Sequence, residues 1–78
     1  MTPETSESAR PPARQLLTDR EQQVLTLLAA GDETPAVAEK LNVSASTVRT
    51  HVEKMRVKLG VRTRAALVAV GFRFGYLS

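Results

Sequence analysis

No cysteine occurs among the 78 residues of this chain, so neither a disulfide nor a thiolate metal site can staple it. The only histidine is His51, which excludes the usual His/Cys zinc sets. Around it no nucleophile, base and orienting acid assemble, since His51 falls in mid-helix and Glu53, two residues on, lies on another face. The expectation is therefore a protein that is not an enzyme and carries no cofactor and no metal. Nowhere do 18 apolar residues run together, and no basic segment followed by an apolar run opens the chain, so membrane spanning and secretion lack support. A cytoplasmic protein fits this, and missing cysteine suits a reducing compartment. Tryptophan is absent as well, and the aromatics are confined to Phe72, Phe74 and Tyr76. A chain this short forms one domain at most, held by ordinary helix packing around a limited core.

Charge is present and unevenly placed. The formal net charge is +3, yet residues 17–34 hold four acids against Arg20, while residues 35–78 hold eight Lys/Arg against Glu39 and Glu53. The positive field thus belongs to the second half. Residues 1–15 contain three of the four prolines, many Ser, Thr and Glu, and hardly a large apolar side chain, which predicts a disordered arm or linker. Arg10 and Arg14 would let such an arm enter a minor groove, but Glu4 and Glu7 offset them. Met1 and the short polar leader suggest a free-standing domain.

Residues 16–78 read as a folded, all-α unit. Thr18-Asp19-Arg20-Glu21 forms a capping box for a first helix over about Asp19 to Ala30, with Val24, Leu25, Leu27 and Leu28 inward and Gly31 as its stop. Thr34-Pro35 reads as a cap and first helical residue for a short second helix to Leu41, burying Val37, Ala38 and Leu41. Asn42-Val43 then makes a tight turn, and Ser44 caps a long third helix that ends at Gly60. Two helices joined so briefly make a helix-turn-helix. Thr63 caps a fourth helix, beginning near Arg64, whose apolar side takes Ala66, Leu67 and Val70, with Ala69 beside them. The aromatic tail packs on the first helix, forms a dimer seam or stacks on nucleic acid.

Ser44 to Val61 is the most informative stretch. Val48, Val52, Met55 and Leu59 recur at i, i+4, i+7 and i+11, a core-facing stripe. At about 100° per residue, Ser46, Thr50, Glu53 and Val57 point the other way, flanked by Arg49 and Lys54. A helix that is aliphatic inside and basic and hydroxylated outside suits a DNA groove. Arg49 can fork onto guanine O6 and N7, or pair with Glu53 at i+4. The Thr50 methyl can meet thymine or simply be solvated. Glu53 can accept from cytosine N4, narrow operator choice by repulsion, or do neither. Lys54, Lys58, Arg62 and Arg64 can neutralise phosphates, Lys58 alternatively serving the helix dipole.

The blocks LTDREQQVLTLLAAG, VAEKLNVSASTVRTHVEKM and KLGVRTRAAL, in this order, resemble the LuxR-type helix-turn-helix family, the DNA-binding domain of quorum-sensing regulators and of many response regulators. The resemblance covers Leu17 to about Gly71. It implies a four-helix domain whose third helix reads the major groove and whose fourth often forms the dimer contact. It places base contacts at Arg49 and Thr50 and at the variable position Glu53. It places phosphate contacts at Ser46, Thr47, Lys58, Arg62 and Arg64, and a packing or phosphate role at His51. A dimer seam would use Ala66, Leu67 and Val70. Two departures stand out: Glu33-Thr34-Pro35 replaces the usual cap of the second helix, and Glu53 replaces a basic or small polar residue.

The function expected is a sequence-specific transcription regulator on double-stranded DNA, bound as a homodimer, with RNA polymerase a further possible partner and no membrane. Two alternatives stand beside it. A sigma-factor promoter-reading domain shares the character of the first helix but usually lacks the glycine-linked fourth. A helix-turn-helix that pairs with a regulator or with polymerase would tolerate the acidic Glu53.

Overall fold

Four helices, and no strand, make up the described residues 17–78 of the computed structural model. The arm expected over residues 1–15 lies outside the described residues. Helix α1 spans Asp19–Ala29, α2 Thr34–Leu41, α3 Ala45–Leu59 and α4 Arg64–Arg73.

Local chemistry sets most of the boundaries. At α1 the Thr18 hydroxyl accepts from the Glu21 amide at 3.0 Å while Glu21 Oε1 accepts from the Thr18 amide at 3.0 Å, so the capping box is complete. The Ser44 and Thr63 hydroxyls accept from the Thr47 and Ala66 amides, each at 3.0 Å, and start α3 and α4. The first three helices stop alike: a residue in the left-handed region at Gly31, Asn42 or Gly60 turns the chain, and the next amide returns to the carbonyl five residues back. Asparagine adopts that conformation more readily than most residues with a side chain, which suits position 42 between the two helices of the helix-turn-helix.

The start of α2 corrects the expectation. Glu33, not Thr34, is the N-cap: its backbone is extended and its carbonyl accepts from the Val37 amide at 3.0 Å. No side chain caps this end, and Pro35 is the second helical residue, where a missing amide still leaves no intrahelical bond unmade.

The core draws on every element. Val24, Leu25 and Leu28 of α1, Val37 and Ala38 of α2, Val48 and Met55 of α3 and Leu67 of α4 are buried together, joined by Leu17, Tyr76 and Leu77 from the flanks. Each large aliphatic residue fully removed from water contributes about 1.5–3 kcal/mol. Leu27, Leu41, Val43, Val52 and Leu59 pack half-buried around them. In α4 only Leu67 and Gly71 are buried; Ala66 and Val70 are half-buried and Ala69 is exposed.

The aromatic tail divides. Gly75, with φ of +84°, reverses the chain after α4, and the Tyr76 and Leu77 amides both donate to the Gly71 carbonyl, at 2.8 and 3.1 Å. Tyr76 and Leu77 are thereby buried, and Gln22 Nε2 of α1 donates to the Tyr76 carbonyl at 3.2 Å. Phe72 and Phe74 stay outside, 52% and 44% exposed. Neither a helix continued through Gly75 nor a fully extended tail describes this arrangement.

Candidate nucleic-acid interface

Helix α3 lies against α1, α2 and α4, and among the described residues no other helix covers its outward side. Val48 and Met55 are buried beneath it, so Ser46, Arg49, Thr50, Glu53, Lys54 and Val57 are all exposed. This is the face that the 3.6-residue period marks out. Val57, 72% exposed, had been placed on that face but given no role; a solvated aliphatic side chain in a polar row is the signal for one, because apolar groups there can meet a thymine methyl.

Three hydroxyls gather at the start of α3. Ser44 Oγ donates to Thr47 Oγ1 at 2.9 Å, and Ser44 Oγ lies 3.1 Å from Ser46 Oγ. Free amides, the positive end of the helix dipole and hydroxyls that can reorient make a site suited to a phosphate oxygen.

The cations expected on phosphates divide into free and engaged groups. Lys54 and the Arg62 side chain are exposed and make no ion pair or side-chain hydrogen bond among the described residues. Lys58 is otherwise occupied: its Nζ lies 2.7 Å from Oε1 of Glu21, whose residue is only 2% exposed. The capping-box glutamate therefore also ties the end of α3 to the start of α1. Burial alone pushes the Glu21 carboxyl up, but the Lys58 hydrogen bond, the Thr18 amide and the charges of Lys58 and His51 together hold it below its ordinary 4.5. Arg64 is engaged too, with Nη1 3.1 Å from Glu33 Oε1 and Nη2 donating to the Asp32 carbonyl. It clasps α4 to the loop before α2, because that loop gathers acids at an uncapped helix start.

Arg49 and Glu53 do not pair with each other. Glu53 Oε1 accepts from Arg56 Nη2, and Arg49 has no side-chain partner among the described residues. His51 is half-buried, with Nδ1 buried and unpartnered. Leu67, expected in the dimer seam, is a core side chain of the monomer at 0% exposure. Along α4 the accessible small and apolar positions are Ala65, Ala69 and Phe72, with Ala66 and Val70 at their edge.

The helix-turn-helix thus presents a bare, hydroxylated and basic outer face, and the model for bacterial regulatory proteins of the luxR family, GerE, matches residues 15–70. The chain belongs to the luxR family. It is a family of DNA-binding transcription regulators, not of enzymes. This luxR-family chain is 47% identical over 62 residues to the probable transcriptional regulatory protein NarL of Mycobacterium tuberculosis, covering 80% of the chain and 29% of NarL. It is 38% identical over 65 residues to the spore germination protein GerE of Bacillus subtilis, covering 83% of the chain and 88% of GerE. The solved structure of the transcription factor GerE matches with a TM-score of 0.78 at 36% identity, covering 81% of this chain and 94% of that one. The LuxR-type receptor VqmA of Vibrio cholerae, solved as a dimer in the absence of its target DNA, matches with a TM-score of 0.73 at 30% identity, covering 86% of this chain and 32% of VqmA. The chain thus spans less than a third of NarL or VqmA and most of GerE. Among the described residues no helix is long and apolar enough to cross a membrane.

Proposed function

We propose that this luxR-family chain binds duplex DNA sequence-specifically as a homodimer, laying α3 in the major groove to regulate transcription in the cytoplasm. The observation that carries the reading is the outer face of α3, where Arg49 is unpaired beside Thr50, Glu53 and Val57 while the opposite side is buried. Arg49 donates to guanine O6 and N7, Glu53 accepts from cytosine N4, and Thr50 and Val57 present methyls to thymine. Ser46 and Thr47 at the start of α3, with Lys54 and Arg62, hold phosphates and fix the register. Lys58 and Arg64 reach phosphate only by leaving Glu21 and the Asp32–Glu33 loop, so they belong chiefly to the scaffold.

The dimer seam falls on Ala66 and Val70, extended by Ala69 and Phe72 and without Leu67. The acidic Glu53 is the feature that favours a protein-binding helix-turn-helix as a second reading, and its pairing with Arg56 weakens that support.

Selection from random duplex DNA tests the reading. A symmetric site with half-sites about one helical turn apart is expected, as two-fold helix-turn-helix dimers require. In binding titrations Arg49→Ala should then erase the preference at one position of each half-site. Single half-sites would exclude the dimer, and recovery of no site at all would exclude the function.

A further inference from the structure

We propose that Arg56 is a positioning residue for base selection, acting through Glu53; this rests on the DNA-binding reading above. Arg56 stands between the outer face of α3 and the turn that ends it. Its Nη1 donates to the Arg62 carbonyl at 2.5 Å, and its Nη2 donates to Glu53 Oε1. The side chain is two-thirds covered, and Nε is buried without a partner. The guanidinium is therefore seated on the turn after α3, and Glu53 rests on a donor that is already in place.

Helix geometry offers Glu53 two cations, Arg49 at i−4 and Arg56 at i+3. Ion pairs between two free surface side chains are weak and exchange readily, because both partners must be ordered to form them. Arg56 has been ordered by the Arg62 carbonyl, and its rigid fork serves both acceptors at once. Glu53 consequently falls to Arg56, and Arg49 keeps all its donors.

Three consequences bear on DNA. The Glu53 carboxylate approaches the phosphates as half of a neutral pair, which reduces repulsion. Its Oε2 has no partner among the described residues and remains an acceptor for cytosine N4. Arg49 stays available to guanine, one turn away on the same face. Loss of Arg56 frees Glu53 to move to Arg49, and each then masks the other.

The test is selection from random duplex DNA with the full chain, Arg56→Met, Glu53→Ala and the double variant, each first shown to be folded by circular dichroism. Arg56→Met should relax base preference roughly tenfold both at the position sensitive to Glu53→Ala and at the position sensitive to Arg49→Ala. In the Glu53→Ala background it should change neither, because no carboxylate is left to hold. Should Arg56→Met melt below the assay temperature, Arg56→Lys keeps the charge, loses the fork and gives the same comparison. Unchanged preference in the Arg56 variant, or equal relaxation with and without Glu53, overturns the inference while leaving DNA binding intact. A wild-type chain that selects no sequence defeats the DNA-binding reading and this inference with it.

Discussion

Replacing Gly71 by alanine sets two effects of known sign against each other. Inside a helix the exchange favours folding by up to about 1 kcal/mol, since alanine loses less backbone freedom than glycine. The structure opposes it: a Cβ built on Gly71 would stand 2.9 Å from Leu77 Cδ1, 3.0 Å from Leu25 Cδ2 and 3.2 Å from Leu77 Cγ. Leu25 is fully buried, so moving its side chain disturbs the packing around it. Overfilling a packed site costs about 1–3 kcal/mol, and here relief has to come from the tail that carries Leu77. We expect Gly71→Ala to destabilise the domain by about 1 kcal/mol, lowering the melting temperature by roughly 4–8 °C for a domain of this size. Urea unfolding followed by circular dichroism measures it. Leu77→Ala should cost about 2 kcal/mol alone, and Gly71→Ala should be close to neutral in that background, because one of its two obstacles has gone. A Gly71→Ala protein as stable as the parent, or costs that simply add in the double variant, would refute the argument from packing.

Two further outcomes follow from the Glu21–Lys58 pair. The folded domain holds the Glu21 carboxyl below its ordinary value, so in acid the unfolded chain binds this proton first. The stabilisation should be complete above about pH 4.5 and fade as the pH drops through the lowered value; Glu21→Gln should flatten that part of the urea midpoint against pH, and an identical acid slope in both proteins would exclude it. Lys58→Met should lose roughly 1–3 kcal/mol of stability by leaving a buried carboxylate without its cation, whereas Lys54→Met should leave stability unchanged and reduce the slope of log affinity against log salt by about 0.9, the value of one phosphate contact. Unfolding curves and salt titrations separate the two lysines, and a reversal of the pattern would show that Lys58 and not Lys54 meets the phosphate.

Helix ends were legible in the sequence where the signal is local. Thr18 with Glu21, Ser44, Thr63, Gly31 and Gly60 all act within a few residues of themselves, and the structure shows each doing so. The start of α2 was not, because the choice between Glu33 and Thr34 as cap depends on which carbonyl the Val37 amide reaches. Periodicity resolved α3, whose polar and apolar sides differ sharply, but failed in α4, where Ala65, Ala66, Leu67, Val68, Ala69 and Val70 are apolar all round and only packing on α1 and α3 picks out Leu67 as core. Lys58 with Glu21, Arg64 with Glu33 and Gly71 with Leu25 are joined by the fold across 30 residues or more, and no spacing rule along the chain anticipates them. The outer face of α3 was the reverse case: which side chains it exposes follows from helical geometry alone, while the pairing of Glu53 with Arg56 depends on the carbonyl of Arg62 in the turn beyond.

The return of Tyr76 and Leu77 to the core has a temporal side. The family pattern ends at residue 70, yet Tyr76 and Leu77, which leave synthesis after it, are part of the buried core. Leu17, at the other end of the described residues, joins the same cluster. A nascent chain that has released α1, α2 and α3 can form its helix-turn-helix from local contacts, but the core is complete only once Tyr76 and Leu77 fold back onto it. Assembly of the recognition helix and sealing of the core are thus separable events, and the second waits on residues made after α4.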